Sequence, residues 1–351
     1  MGTKKNPLAG QPTIRAGATR LIFCDDSLPG ITRTKAGRGW AYHDAHGERI
    51  TDRDEIDRLN RIALPPAYSD AWYCPADNGH ILATGIDARG RKQYRYHPDF
   101  RSFREGEKFD GCAQFGRLLP LVRKRVADDL RSPRLTRERA IASIVRLLDT
   151  GGIRIGNESY AKANKSFGAT TLQMRHAAVK GSVLKLRFKA KSGKLREMRI
   201  TDGSLSRFVK KMQDLPGQHL FQYLDDNGEA CPVGSGDVNE YLCETMGERF
   251  TAKNFRTWHA SALALQLLAE AEGKLPLKAL LGEVSDRLGN TPAMARKSYI
   301  HPAVLALVDS QIKWRAKLKL PRATRWLTAH ERALLALLDK APSAARIMTA
   351  A

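Results

Sequence analysis

The spacing of apolar positions changes once along this chain. From Leu21 to about Phe103 they alternate or fall in short runs bounded by Gly, Pro, Asn and Asp, which predicts strands. Gly39-Trp40-Ala41-Tyr42 and Gly47-Glu48-Arg49-Ile50 flank a His-Asp-Ala-His turn in the manner of a hairpin. Thr51 is placed to cap a short helix running to about Ile62, which Pro65-Pro66 stops. Residues 81–85 and 92–96 predict two further strands around the turn Asp87-Ala88-Arg89-Gly90. After the polar stretch 104–108 the period lengthens. Ile141, Ile144, Val145 and Leu148 recur as one buried helix face, and Gly151-Gly152 ends that helix. Residues 183–188 alternate again and lead into Ala190-Lys191-Ser192-Gly193, a hairpin turn. Helices are predicted over about 253–272, 277–288 and 328–338. Gly289 and Asn290 close the second of these. Thr291-Pro292 supply the N-cap and first position of another helix, with Tyr299 falling two turns into it.

These periods predict an α+β chain: a small β-rich N-terminal domain, then a larger, mainly α-helical domain with a small antiparallel sheet. The expected boundaries are a disordered polar tail over 1–17, the β-rich domain over 18–105, the helical domain over 106–310 and a basic helical C-terminal tail over 311–351. No internal repeat is present.

Composition narrows the partners. The 351 residues carry 59 Lys+Arg against 37 Asp+Glu, a formal net charge of +22, and such an excess implies a polyanion, with nucleic acid the first candidate and an anionic membrane surface the weaker alternative. The longest apolar runs are too short to span a bilayer, and Met-Gly-Thr-Lys-Lys-Asn opens no signal peptide, so no membrane role is expected. Five scattered cysteines with no CxxC pair suggest neither a zinc site nor a disulfide framework, and fit a cytoplasmic protein. No metal-ligand spacing and no phosphate-binding glycine loop occurs, so no metal or nucleotide cofactor is expected.

Candidate chemistry rests on five positions. Arg154 lies between small residues in Gly152-Ile153-Arg154-Ile155-Gly156, where glycines would let backbone approach a phosphate and a guanidinium could fork onto it. Lys191 stands at a hairpin tip. Lys253 and Arg256, three residues apart, share one side of a helix start, where N–H groups also favour an anion. Asn290 and Tyr299 could converge on one phosphate, with the tyrosine as nucleophile.

Together these motifs resemble the type IB DNA topoisomerases of the poxvirus and bacterial kind, from about Leu21 to about Val308. Arg154-Ile155-Gly156 through Tyr160, Gly168 and Leu172 looks like the family's first arginine motif. Phe188-Lys189-Ala190-Lys191-Ser192-Gly193 resembles the hairpin bearing its lysine general acid, and Phe255-Arg256-Thr257-Trp258 its second arginine motif. Lys297-Ser298-Tyr299 ends the segment that carries the nucleophile. In the N-terminal half, Gly85-Ile86-Asp87-Ala88-Arg89-Gly90-Arg91-Lys92-Gln93-Tyr94-Arg95-Tyr96 is similar to a DNA-contacting segment. Asn290 departs from the family, which usually has histidine there: an amide can still donate to a phosphate oxygen but cannot exchange a proton. Ala190, where glycine is common, is a lesser departure.

The resemblance implies a clamp around double-stranded DNA and a monomer associated with the nucleoid. Relaxation would proceed through a 3′-phosphotyrosyl intermediate without ATP or obligatory metal, magnesium serving only as an optional stimulator. It assigns catalysis to Tyr299, Arg154, Lys191, Arg256 and Asn290, and DNA binding to Arg91, Tyr94, Tyr96, Tyr160 and Lys253. Two alternatives stay open: a tyrosine recombinase, which commonly has His-x-x-Arg where this chain has Lys253-x-x-Arg256, and a non-catalytic DNA-binding protein.

Overall fold

The computed structural model describes residues 12–16, 19–215 and 217–350, with side chains to residue 348. The chain divides into two compact units, one ending at Glu107 and the other starting at Lys108.

The first unit is built on strands. Thr13–Ala16 (β1) and Thr19–Ile22 (β2) pair antiparallel, so residues 13–16, assigned by the sequence to a disordered tail, form a strand. Residues 1–11 and 17 of that expected tail lie outside the described residues. Ile31–Ala36 (β3), Gly39–His43 (β4), the helix Arg53–Arg61 (α1), Ser69–Tyr73 (β5), Ile81–Ile86 (β6) and Lys92–Tyr96 (β7) follow. The five later strands make one antiparallel sheet in the order β4-β3-β5-β6-β7. The main partner of β4 is β3; the expected pairing of residues 39–42 with 47–50 survives as a single bridge, His43 to Arg49, and Ile50 N–H donating to Tyr42 O at 2.9 Å. The cap of α1 is Asp52, whose carboxylate accepts from Asp54 and Glu55 N–H, one residue beyond the Thr51 expected. Ile31, Tyr42, Leu59, Leu64, Ala71, Tyr73 and Ala83 form the core under this sheet.

Pro98–Asp129 (α2) runs for 32 residues, so the polar stretch 104–108 is helix. Phe109, Cys112, Phe115, Leu119, Val122 and Val126 recur every three or four residues along it and are all buried, a continuous apolar stripe. Arg137–Gly151 (α3) is capped by Thr136 and stopped by Gly152, which is left-handed at φ +57°. Glu158–Asn164 (α4) comes next, then Ala177–Lys180 (β8), Val183–Lys189 (β9) and Leu195–Thr201 (β10), an antiparallel sheet in the order β10-β9-β8. Gly203–Gln213 (α5), the short pair Gln222–Leu224 (β11) and Ala230–Pro232 (β12), and Ser235–Met246 (α6) lead to the central helix Ala252–Glu270 (α7). Leu277–Leu288 (α8), Pro292–Ser298 (α9), Pro302–Leu305 (α10), Gln311–Lys317 (α11), Ala329–Leu338 (α12) and Ala344–Ala350 (α13) complete the chain.

The segment expected as a C-terminal tail is part of the helical unit. Leu327, Ala333, Leu334, Leu338 and Ala344 belong to the same core as Trp258 and Phe255. Glu331, 5% exposed, meets Arg123 Nη2 at 2.7 Å and accepts from Trp258 Nε1 at 3.0 Å. Among the described residues no helix is long and apolar enough to cross a membrane.

Candidate active site

Three local devices position the site. Gly289 ends α8 at φ +63°, with its N–H on Asp286 O and the next N–H, of Asn290, on Ser285 O at 2.9 Å. This is a Schellman ending, and it fixes where Asn290 leaves the helix. Thr291 then caps α9 by accepting from Met294 N–H. Tyr299 is the C-cap of α9, at φ −133° and ψ −38°, not a residue within a longer helix as its spacing suggested. The reason lies on α7: Ser261 Oγ, which donates to Thr257 O at 2.8 Å and lies 3.3 Å from Tyr299 O, accepts from His301 N–H at 2.9 Å, drawing the chain off the helical path.

Arg154 is held from its backbone. Its carbonyl accepts from Ala169 N–H at 2.8 Å, and Ile155 O accepts from Thr170 N–H at 2.7 Å. A Cβ on Gly168 would lie 2.5 Å from Gly156 N and 2.7 Å from Arg154 O. The glycines therefore let two stretches of the protein's own backbone press together; the sequence reading had assigned this freedom to a phosphate.

These segments bring four of the five candidate catalytic side chains together. Arg154 donates to Tyr299 Oη at 3.3 Å and to Asn290 Oδ1 at 2.7 Å. Arg256, 3% exposed, donates through Nη1 to Gly152 O and through Nη2 to Leu288 O at 3.0 Å, and its guanidinium carbon lies 4.9 Å from the Tyr299 ring centre. The carbonyls that hold it are those of the residue ending α3 and the last residue of α8. Burial opposes ionisation of the Tyr299 phenol, but Arg154 and Arg256 outweigh it and bring its pKa below the ordinary value. Burial and the neighbouring Arg154 charge lower Arg256 to about 10. The Asn290 amide can have only one orientation, since the reverse would set its NH₂ against an arginine donor. Its Nδ2 is then a buried donor with no partner among the described residues.

Lys191 is not among the four. It is exposed in the turn between β9 and β10, where Ser192 at φ +64° and Gly193 at φ +73° reverse the chain. The hairpin is tied toward the site, because Lys189 O accepts from Phe167 N–H at 2.7 Å, next to the segment that grips Arg154. Lys253 is exposed and Arg256 buried, three residues apart in the first turns of α7. Tyr160 is half-buried on α4, its N–H on Asn157 Oδ1 at 3.0 Å. In the first unit Tyr94 and Tyr96, 40% and 39% exposed, stack with centres 5.7 Å apart. Arg91 is exposed and pairs with Asp87 at 2.7 Å.

Two cations near the site escaped the sequence reading. Arg196 Nη2 donates to Gly151 O at 3.1 Å and to Arg287 O at 2.7 Å, and the guanidinium presses on Gly289. Its pKa is lowered by burial and then by the Arg287 and Arg154 charges. A signal existed: Arg196 is in register with Phe188, whose side chain is buried on the inner face of the hairpin. Lys108 Nζ donates to Ser298 O at 2.6 Å and lies 5.9 Å from the Tyr299 ring centre. Nothing in the local sequence pointed to it.

A tyrosine ringed by guanidiniums, with no carboxylate paired to Arg154 or Arg256 among the described residues, is suited to work on phosphate esters. Comparison with known proteins identifies the kind. The eukaryotic DNA topoisomerase I catalytic core family matches residues 97–315, and the bacterial DNA topoisomerase IB N-terminal domain family matches residues 39–87. The chain belongs to the type IB DNA topoisomerases. DNA topoisomerase 1B of Acanthamoeba polyphaga mimivirus is 32% identical over 298 residues, 81% of this chain and 88% of that protein. DNA topoisomerase 1 of Mycosarcoma maydis is 29% identical over 203 residues, 51% of this chain but 20% of that longer protein. All five candidate catalytic residues fall within the core match, whereas Arg91, Tyr94 and Tyr96 fall between the two matched segments.

Proposed function

We propose that this enzyme relaxes supercoiled duplex DNA through a 3′-phosphotyrosyl intermediate, without ATP and without an obligatory metal. The observation that carries the reading is the contact of Arg154 with both Tyr299 Oη and Asn290, beside Arg256, in a setting that lowers the phenol pKa. Tyr299 Oη attacks a backbone phosphate, forming its bond to phosphorus as the bond to the 5′-oxygen breaks. Arg154 and Arg256 stabilise the charge that builds on the non-bridging oxygens, and the partnerless Asn290 Nδ2 is a further donor to them. A positioned amide supplies direction without charge, so its share is smaller than a protonated histidine's. Lys191 protonates the leaving 5′-oxygen, which requires the hairpin tip to approach bound DNA. Resealing is the reverse attack, and while the strand is open the downstream duplex rotates.

The net charge of +22 supports a wrapped duplex, with Arg91, Tyr94, Tyr96, Tyr160 and Lys253 as further contacts. The chain acts as a monomer on the nucleoid, and magnesium speeds turnover only by easing product release. Relaxation in excess chelator without nucleotide, followed by a detergent quench, tests the reading. The quenched DNA should carry protein on its 3′ end and a 5′-hydroxyl that a kinase can label. An absolute divalent requirement, or protein on the 5′ end, overturns it.

A further inference from the structure

The first unit holds a feature that strand cleavage does not use. Cys24, just beyond β2, and Cys74, just beyond β5, are 50 residues apart in sequence, yet their sulfurs lie 3.0 Å apart. Both are buried, at 6% and 0% exposure, and with Ile22, Trp72 and Ala76 they form a small cluster of their own. A Cβ on Gly79 would lie 2.4 Å from Cys74 Sγ and 2.7 Å from Cys24 Sγ, so the glycine leaves room for the sulfur pair.

The pair is wired to the exposed tyrosines. Cys24 N–H donates to His80 Nδ1 at 2.9 Å, and Phe23, its chain neighbour, packs on His80 with centres 4.6 Å apart. His80 meets Phe100 edge-on at 4.9 Å, Phe100 meets Tyr96 at 5.7 Å, and Tyr96 stacks on Tyr94. His80 O also accepts from His97 N–H at 3.0 Å, immediately after Tyr96. A displacement of Cys24 thus passes through contiguous rings to the surface proposed above to hold DNA.

We propose that Cys24 and Cys74 are a dithiol that peroxide-class oxidants close to a disulfide, weakening the grip of the Tyr94–Tyr96 surface on duplex DNA; the second half rests on the DNA-binding reading of those tyrosines. The chemistry balances. Cys74 loses its proton to solvent and the thiolate attacks a peroxide oxygen; the O–O bond breaks, hydroxide departs and takes up a proton to become water, and Cys74 is left as a sulfenic acid. Cys24 sulfur, losing its proton to the departing hydroxyl, attacks Cys74 sulfur; the S–O bond breaks and a second water leaves. Two thiols are oxidised by two electrons and the peroxide is reduced. Either sulfur can donate to the other, and what distinguishes Cys74 is Arg58, whose Nη2 donates to Cys74 O at 3.2 Å and whose charge favours the Cys74 thiolate. Cys74 is 0% exposed and Cys24 6%, so peroxide reaches the pair only through local opening of this cluster, and bulky oxidants are excluded. Closure to the ~2.05 Å of a disulfide draws the sulfurs together by about 1 Å. The segment carrying Phe23 must follow.

The test uses the reduced full-length chain with a few-fold excess of hydrogen peroxide, alkylation of remaining thiols in denaturant, digestion and mass spectrometry. Peptides containing Cys24 and Cys74 should be recovered joined and two hydrogens lighter, and a thiol reductant should separate them. Recovery of both as free thiols while the more accessible Cys231 and Cys243 are oxidised overturns the site. The oxidised chain should bind duplex about 5-fold more weakly, a modest coupling between sites, and recover on reduction. Cys24→Ser should show no such response. Equal affinity of the two forms overturns the coupling. Tyr94→Ala, measured alongside, separates the two readings: if it binds duplex as tightly as the parent, the tyrosine surface is misassigned and the coupling falls, while the crosslink stands or falls by its mass.

Discussion

Arg123 and Arg256 both reach into the helical unit, yet their surroundings are opposite. Arg123 meets Asp149 at 2.8 Å and Glu331 at 2.7 Å, both largely buried, and also donates to Trp326 O. Burial alone would lower its pKa, but the two carboxylates raise it above the ordinary value. Arg256 has carbonyl oxygens, a tyrosine ring and the charges of Arg154 and Arg196 around it, and its pKa drops to about 10. A buried cation with its counter-charges supplied is a structural joint, here binding α2, α3 and α12. A buried cation beside other cations is costly in the free protein and has capacity left for an anion. Both guanidiniums are largely withdrawn from water; the carboxylates separate them.

The contrast predicts where each substitution will be felt. The largest effect should follow loss of the group that the unpaired cations surround. Tyr299→Phe keeps the ring beside Arg256 and removes only the oxygen, so no covalent complex and no relaxation are expected, with duplex binding nearly unchanged; robust relaxation would move the nucleophile elsewhere. Next is Lys191→Ala, which should slow cleavage by about 10²–10⁴-fold, the range for positioned proton transfer. A substrate with sulfur at the 5′-bridging position should rescue that variant, because a thiolate leaves without a proton. Arg256→Ala should gain much less. No rescue, or equal rescue of both, would pass the proton to Arg154, Lys189 or Lys194.

Arg256 and Arg123 can then be set against each other directly. Arg256→Ala should lower the cleavage rate by about 10²–10³-fold, as expected for losing one charge-stabilising donor. Its melting temperature should stay close to the parent's, since an uncompensated cation has been removed. Arg123→Met should do the reverse. Asp149 keeps His259 at 3.1 Å and Glu331 keeps Trp258, but both lose a buried counter-charge, so a loss of about 3–5 kcal/mol in unfolding free energy is expected. Single-turnover cleavage by the folded fraction should be little changed. Matching thermal losses in both variants would erase the distinction.

How much of this was legible in the sequence follows the range of the interactions. The Gly289 ending, the Thr291 cap and the 183–201 hairpin depend on neighbours and were read correctly. The class of enzyme was legible too, because the motifs stand in family order. Tyr299 was misplaced within a helix because the group that ends α9 is Ser261, on another helix. The C-terminal segment read as a basic tail because nothing local reveals that Glu331 pairs with an arginine 208 residues earlier. Lys108 was overlooked for the same reason, since its partner is a backbone carbonyl with no sequence signature, whereas Arg196 was readable from its place opposite Phe188 in the hairpin. The meeting of Cys24 with Cys74 depends on sheet pairing, and the five cysteines gave no spacing to suggest it.

The smallest expected effect concerns protons. As the proposed nucleophile, Tyr299 must have its phenol ionised to attack, and burial works against this while Arg154 and Arg256 work for it more strongly, leaving a lowered pKa. The cleavage rate should therefore rise with pH along a limb set below the ordinary tyrosine value, then level off once the phenolate predominates. Arg154→Gln removes one of the two charges and leaves burial in place, so the phenol pKa must rise and the limb move to higher pH. Removing Arg123, whose charge is spent on Asp149 and Glu331, should leave the limb where it was. The comparison needs single-turnover rates on a substrate with a 5′-bridging sulfur, so that titration of the general acid does not enter. If Arg154→Gln lowers the rate equally at every pH, the arginine stabilises only the transition state, and the phenol owes its ionisation to another group.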